Sequence, residues 1–81
     1  MSVEVVIIKV DPETLNNYEY YIPVSSNLKD EREISKILTS LMKACNVGDF
    51  VRIGDKFYRR IKGGFREAST EDLAELLASK I

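Results

Sequence analysis

Between Lys56 and Arg66 the chain reads KFYRRIKGGFR, five basic residues interleaved with three aromatic ones around a Gly-Gly pair. Cations at this density neutralise phosphates or carboxylates. Aromatic rings between them offer flat faces on which nucleic-acid bases stack. Extending the stretch back to Arg52 gives Arg52, Lys56, Arg59, Arg60, Lys62 and Arg66 against the single acid Asp55. That is a net +5 in a chain whose total is −1. Such asymmetry is the footprint of an anion-binding surface. Against it stand a sequence pI near 5.4 and the ordinary use of Lys and Arg to keep strand edges from aggregating.

The rest of the inventory excludes more than it offers. The 81 residues contain no histidine and one cysteine, Cys45, which removes the commonest general base and the usual zinc ligands. Without a histidine to activate it, Cys45 reads as a buried, inert thiol closing the apolar stripe of a helix. Asp30, Glu31 and Glu33, like Glu71, Asp72 and Glu75, are explained by the preference of carboxylates for helix N-termini. Gly63-Gly64 lacks the spacing and the following Lys-Ser/Thr of a phosphate loop. These absences predict a non-catalytic protein without metal or cofactor. A lone thiol, no apolar run of membrane-spanning length and an N-terminus without a basic start predict a cytoplasmic protein with no membrane partner. The lack of glutamine is a feature shared with thermophilic proteins.

The elements that position the basic stretch follow from periodicity. Val3 to Val10, VEVVIIKV, is almost continuously apolar and β-branched, the pattern of a strand buried on both faces. After the Asp11-Pro12 break, Tyr18 to Val24 alternates as a second, antiparallel strand, and Pro23 assigns it to an edge. From Leu28 to Cys45 the period becomes helical, with Ile34, Ile37, Leu38, Leu41, Met42 and Cys45 on one face. Asn27 or Asp30 caps its start, and Asn46 or Gly48 its exit. Phe50–Ile53, Lys56–Lys62 and a short Phe65–Ala68 are further strands. Ser69 caps a last helix striped by Leu73, Leu76, Leu77 and Ile81. The composition fits one domain spanning residues 1–81. Its predicted class is α+β, ordered β-β-α-β-β-(β)-α, with four or five antiparallel strands and two helices packed on them.

Hairpin register decides which side chains share a face. At the Gly-Gly turn, a three-residue loop Lys62-Gly63-Gly64 with Gly64 left-handed sets Ile61 against Phe65, pairing apolar with apolar. A two-residue Gly54-Asp55 turn sets Val51 beside Tyr58 and Arg52 beside Phe57. It gives Phe50, Phe57, Ile61 and Phe65 to the core and leaves Val51, Ile53 and Tyr58 on an outer face that asks for a protein partner or a second copy. A loop one residue longer puts Val51, Ile53, Phe57, Ile61 and Phe65 inside and leaves Phe50, Arg52, Tyr58, Arg60, Lys62 and Arg66 on an open sheet. Whether Tyr58 shares a face with Arg52 or with Val51 separates the two.

The order β-β-α-β-β followed by Arg59-Arg60-Ile61-Lys62-Gly63-Gly64 resembles a ubiquitin-type β-grasp protein with its basic tail and di-glycine. In that family the di-glycine ends the processed chain; here a capped helix follows it. The resemblance implies a β-grasp-like sheet as an alternative architecture. Two functional expectations stand. The first is a binding module contacting an anionic partner, DNA or RNA foremost, through Arg52, Lys56, Tyr58, Arg60, Lys62 and Arg66. The second is a protein-interaction or homodimerisation module using Val51, Ile53 and Tyr58.

Overall fold

A computed structural model describes residues 4–11, 13–14, 16–22 and 30–78. Along the described chain the elements are β1 (Val5–Val10), β2 (Asn17–Ile22), α1 (Glu31–Leu41), β3 (Phe50–Ile53), β4 (Lys56–Ile61), β5 (Gly64–Glu67) and α2 (Thr70–Ala78). The five strands form one antiparallel sheet in the order β2-β1-β3-β4-β5. The protein is therefore α+β, with two helices and a five-stranded antiparallel sheet. The expected Val24, Asn27 and Ile81 lie outside the described residues.

The core has two halves, one on each side of the sheet. Val5, Ile7, Val51 and Ile53 point to one face and are covered by Ile34, Ile37, Leu38 and Leu41 of α1, with Cys45 buried among them. Val6, Ile8 and Phe50 point to the other and are covered by Leu76 of α2, flanked by Val10, Phe57 and Ala68. The continuous apolar run of β1 has its cause here: a strand sandwiched between two helices buries both sets of alternating side chains. Full burial of one such side chain stabilises by roughly 1.5–3 kcal/mol.

This arrangement corrects the expectation of one inner and one outer face. The β3–β4 register is the one set by a two-residue Gly54-Asp55 turn, with Val51 opposite Tyr58 and Arg52 opposite Phe57. Val51 and Ile53 are nevertheless fully buried rather than outside, because α1 covers that side while α2 covers Phe50 on the other. The Gly-Gly turn is also different. Ile61 pairs with Gly64 and Arg60 with Phe65, so the loop is only Lys62-Gly63. Gly63, not Gly64, takes the left-handed conformation, at φ 89°. Phe65 thereby joins the α1 half of the core and Ile61 turns to the α2 side. The di-glycine that resembles a conjugation tail is the last turn residue and the first residue of β5.

Local chemistry fixes the ends. Asp30 caps α1, its Oδ1 accepting from the Arg32 N–H at 3.0 Å. Between α1 and β3, Gly48 at φ 100° donates to the Arg60 carbonyl (2.9 Å), while Arg60 donates to the Asp49 carbonyl (2.8 Å). Two residues opposite one, the first a left-handed glycine, make a G1 bulge. It turns Asp49 inward, where the buried carboxylate accepts from the N–H groups of Val10 (3.1 Å) and Asn46 (2.8 Å) and pairs with Lys9 at 3.0 Å.

Candidate binding surface at the α1–β5 groove

The basic residues of the hairpin divide between the two faces of the sheet. Arg52, Arg59 and Arg66 point to the α2 side, and each meets carboxylates of the chain. Arg52 pairs with Glu4 and donates to the Gly54 carbonyl. Arg59 lies over the Phe50 ring, 5.1 Å from its centre, and bridges Asp72 (2.5 Å) and Glu75 (2.7 Å) of α2. Arg66 grips Asp72 with both terminal nitrogens, at 2.6 and 3.0 Å. Asp72 is buried and also closes a capping box with Ser69: the Ser69 N–H and hydroxyl both donate to its Oδ2, at 2.8 and 2.9 Å, and the Ser69 hydroxyl accepts from the Asp72 N–H at 3.2 Å. Hydrogen bonds from Arg66, the Ser69 backbone and Arg59 hold this carboxyl far below the usual carboxylate range. The Glu75 and Asp72 hydrogen bonds raise Arg59 correspondingly. Most of the +5 read from the sequence is thus neutralised within the fold, α2 supplying two of the acids.

The remaining cations behave differently. Arg60 points to the α1 side beside Phe65, its guanidinium 5.8 Å from that ring. Its hydrogen-bond acceptors are the carbonyls of Met42, Ile61 and Gly64. Three neutral acceptors orient a guanidinium without cancelling its charge. Lys62 projects from the turn and is exposed, as is Lys56 at the far end of β4. Neither makes an ion pair among the described residues. Tyr58 shares its face with Val51, not Arg52. It packs half-buried against the α1 core rather than standing on an open sheet face with Arg52 and Arg66.

The sheet and α1 leave an opening along β5. A cleft of about 280 Å³ is walled by Glu31, Ile34, Ser35 and Leu38 of α1 and by Lys56, Tyr58, Phe65, Arg66 and Glu67 of the sheet. A second, of about 200 Å³, is walled by Ser35, Leu38, Thr39 and Met42 and by Gly63, Gly64 and Phe65. They share Ser35, Leu38 and Phe65, so they meet end to end as one groove between the helix and the last strand. The helix side recurs at i, i+3, i+4, i+7, i+8 and i+11, a single helical stripe.

Sequence reasoning therefore brought forward five cations and Tyr58 as an anion-binding set, of which Lys56, Arg60 and Lys62 are on or beside this groove. Arg66 touches it while committed to Asp72, and Arg52 is on the opposite face. Val51, Ile53 and the inner part of Tyr58 are core. Ser35 and Thr39 went unread, because they flank the apolar stripe of α1 rather than belong to it, and Met42 was read only as a member of that stripe. Among the described residues no group of His, Cys, Asp and Glu is arranged to hold a metal ion, and no helix is long and apolar enough to cross a membrane. Comparison of the chain with models of protein families, with curated proteins and with solved structures finds no match.

Proposed function

We propose that this protein is a non-catalytic binding module for an anionic partner, which it contacts at the Gly63 end of the α1–β5 groove through Arg60 and Lys62. The partner is an acidic stretch of polypeptide rather than nucleic acid. The observation that carries this reading is Arg60, a guanidinium bonded to the neutral carbonyls of Met42, Ile61 and Gly64 beside the groove end that Met42, Gly63, Gly64 and Phe65 wall. A pre-oriented, uncompensated cation favours a carboxylate, and its low mobility reduces the entropy lost on binding. Nucleic acid is disfavoured by the packing of Tyr58 against the α1 core, on the face opposite Arg52, Arg59 and Arg66, and by the pairing of those arginines with Glu4, Asp72 and Glu75.

The test is a fluorescence-anisotropy titration at low and moderate salt with three probes: a labelled acidic peptide of alternating Glu and Val, single-stranded RNA and duplex DNA. Native protein is compared with Lys62→Glu. The expected result is salt-sensitive binding of the peptide that weakens about tenfold in the variant, roughly 1.4 kcal/mol, with both nucleic acids binding more weakly. Tighter binding of either nucleic acid would move the hairpin back to phosphate recognition. No binding by any probe at low salt would end the anionic-partner reading.

A further inference from the structure

The groove is bordered by more than side chains. β5 is the last strand of the sheet, and among the described residues its far side has no neighbouring strand. The register fixes which of its backbone groups face outward. Ala68 donates to the Phe57 carbonyl at 2.9 Å, so alternate residues 64, 66 and 68 direct their N–H and C=O toward β4. Phe65 and Glu67, between them, direct theirs away from the sheet, along the floor of the groove. An open edge lying beside a helix is a template for an added strand.

We propose that the partner segment binds as a sixth strand on β5, resting between the strand edge and α1. This rests on the anionic-partner reading and specifies how the partner is held. Main-chain bonds form to Phe65 and Glu67. Alternate side chains of an added strand point to one face, so every second residue of the segment meets the apolar floor of Leu38 and Phe65. The charge at the two ends of the groove differs. Toward Glu67 the walls carry Glu31 and Glu67 as well as Lys56 and Arg66, whereas toward Gly63 stand Arg60 and Lys62, which form no ion pair among the described residues. The segment accordingly has small or apolar residues alternating along its length and an acidic residue, or its terminal carboxylate, at the Gly63 end. Single-stranded nucleic acid does not meet this description, since it has no main-chain amides to pair with the edge.

The experiment begins with selection from a displayed library of random octapeptides against the native protein. The selected peptide is then titrated against Glu67→Pro, Glu67→Gln and Lys62→Glu. Glu67 is exposed and its N–H faces outward, so proline removes one outward donor and obstructs the edge while leaving β5 bonded to β4. Glutamine controls for the lost charge, and circular dichroism verifies that each variant is folded. Strand addition predicts peptides that alternate apolar residues and carry an acid at one end. It also predicts binding about tenfold weaker in Glu67→Pro, within about twofold of native in Glu67→Gln, and slowed amide exchange at Phe65 and Glu67 in the complex. Acidic peptides that depend on Lys62 but bind Glu67→Pro as well as they bind native protein would overturn strand addition and leave the anionic-partner reading standing. Should Glu67→Pro fail to fold, unchanged amide exchange at Phe65 and Glu67 in native protein with saturating peptide would overturn it equally. Selection of peptides without acids would overturn both.

Discussion

At the scale of single residues, Asp72 concentrates the most interactions. One carboxylate caps α2 through Ser69, receives both nitrogens of Arg66 and one of Arg59, and so ties the last helix to β4 and β5. Because its folded-state pKa is depressed, it binds a proton less readily folded than unfolded. The stability it confers is therefore present above the ordinary carboxylate value, about 3.9, and is lost as pH falls below it. Urea unfolding of native protein and Asp72→Asn between pH 7 and pH 2.5 should show a gap that is constant above about pH 5 and narrows steadily below about pH 4. A gap independent of pH would mean the carboxylate's charge contributes nothing. Ser69→Ala, removing the reciprocal cap, should cost about 1 kcal/mol at neutral pH. The Ser69–Asp72 spacing was legible in the sequence. The arginine partners were not, because they come from strands whose facing depends on register.

At the scale of elements, the two turns flanking β4 teach different lessons. Gly54-Asp55 follows the two-residue rule, and the register read from it is the observed one. Lys62-Gly63-Gly64 offers two glycines for one left-handed position. A left-handed Gly64 sets Ile61 against Phe65, which is favourable only where both belong to one core. That condition fails, since Ile61 and Phe65 face opposite sides and Gly63 takes the positive φ. Neither glycine has a neighbouring atom within 4 Å of a built Cβ, so only backbone conformation separates them. Gly63→Ala should destabilise by about 1–2 kcal/mol. Gly64→Ala should be neutral or stabilise by a few tenths of a kcal/mol, about 0.5. Chemical denaturation of the two variants checks the pair, and a reversed order would restore the three-residue loop.

At the scale of the whole molecule, the sheet is a middle layer. The α+β class, the antiparallel pairing and the two helices were legible from periodicity alone. The placement of the helices on opposite faces was written only in β1, where VVIIKV leaves no polar side, and that signal conflicted with the one-sided reading of β3. Two-sided burial has a direct consequence for mutational energetics. Ile7 faces α1 and Ile8 faces α2, and both are nearly inaccessible to solvent, at 6% and 2% exposure. Ile7→Ala and Ile8→Ala should each cost about 2–5 kcal/mol, the range for a buried isoleucine truncation. In a sheet with one solvated face, adjacent residues would differ sharply, one severe and one near neutral. Equilibrium denaturation of the two single variants distinguishes these outcomes.

The opposite edge of the sheet carries a different endowment. The chain has four tyrosines and no tryptophan. Tyr18, Tyr20 and Tyr21 stand exposed on β2 at 53–61% of their full area, while Tyr58 lies against the α1 half of the core. Tyr21 donates its hydroxyl to Glu19 at 3.2 Å, and that bond, with the neighbouring negative charge, raises its pKa and so holds the phenol in its neutral form. The intrinsic fluorescence of this protein is thus already sorted by position. Emission that iodide extinguishes belongs to the β2 rim, and emission that survives belongs to the interior beside the groove. A single unlabelled sample can therefore report which flank of the sheet a visiting molecule has reached.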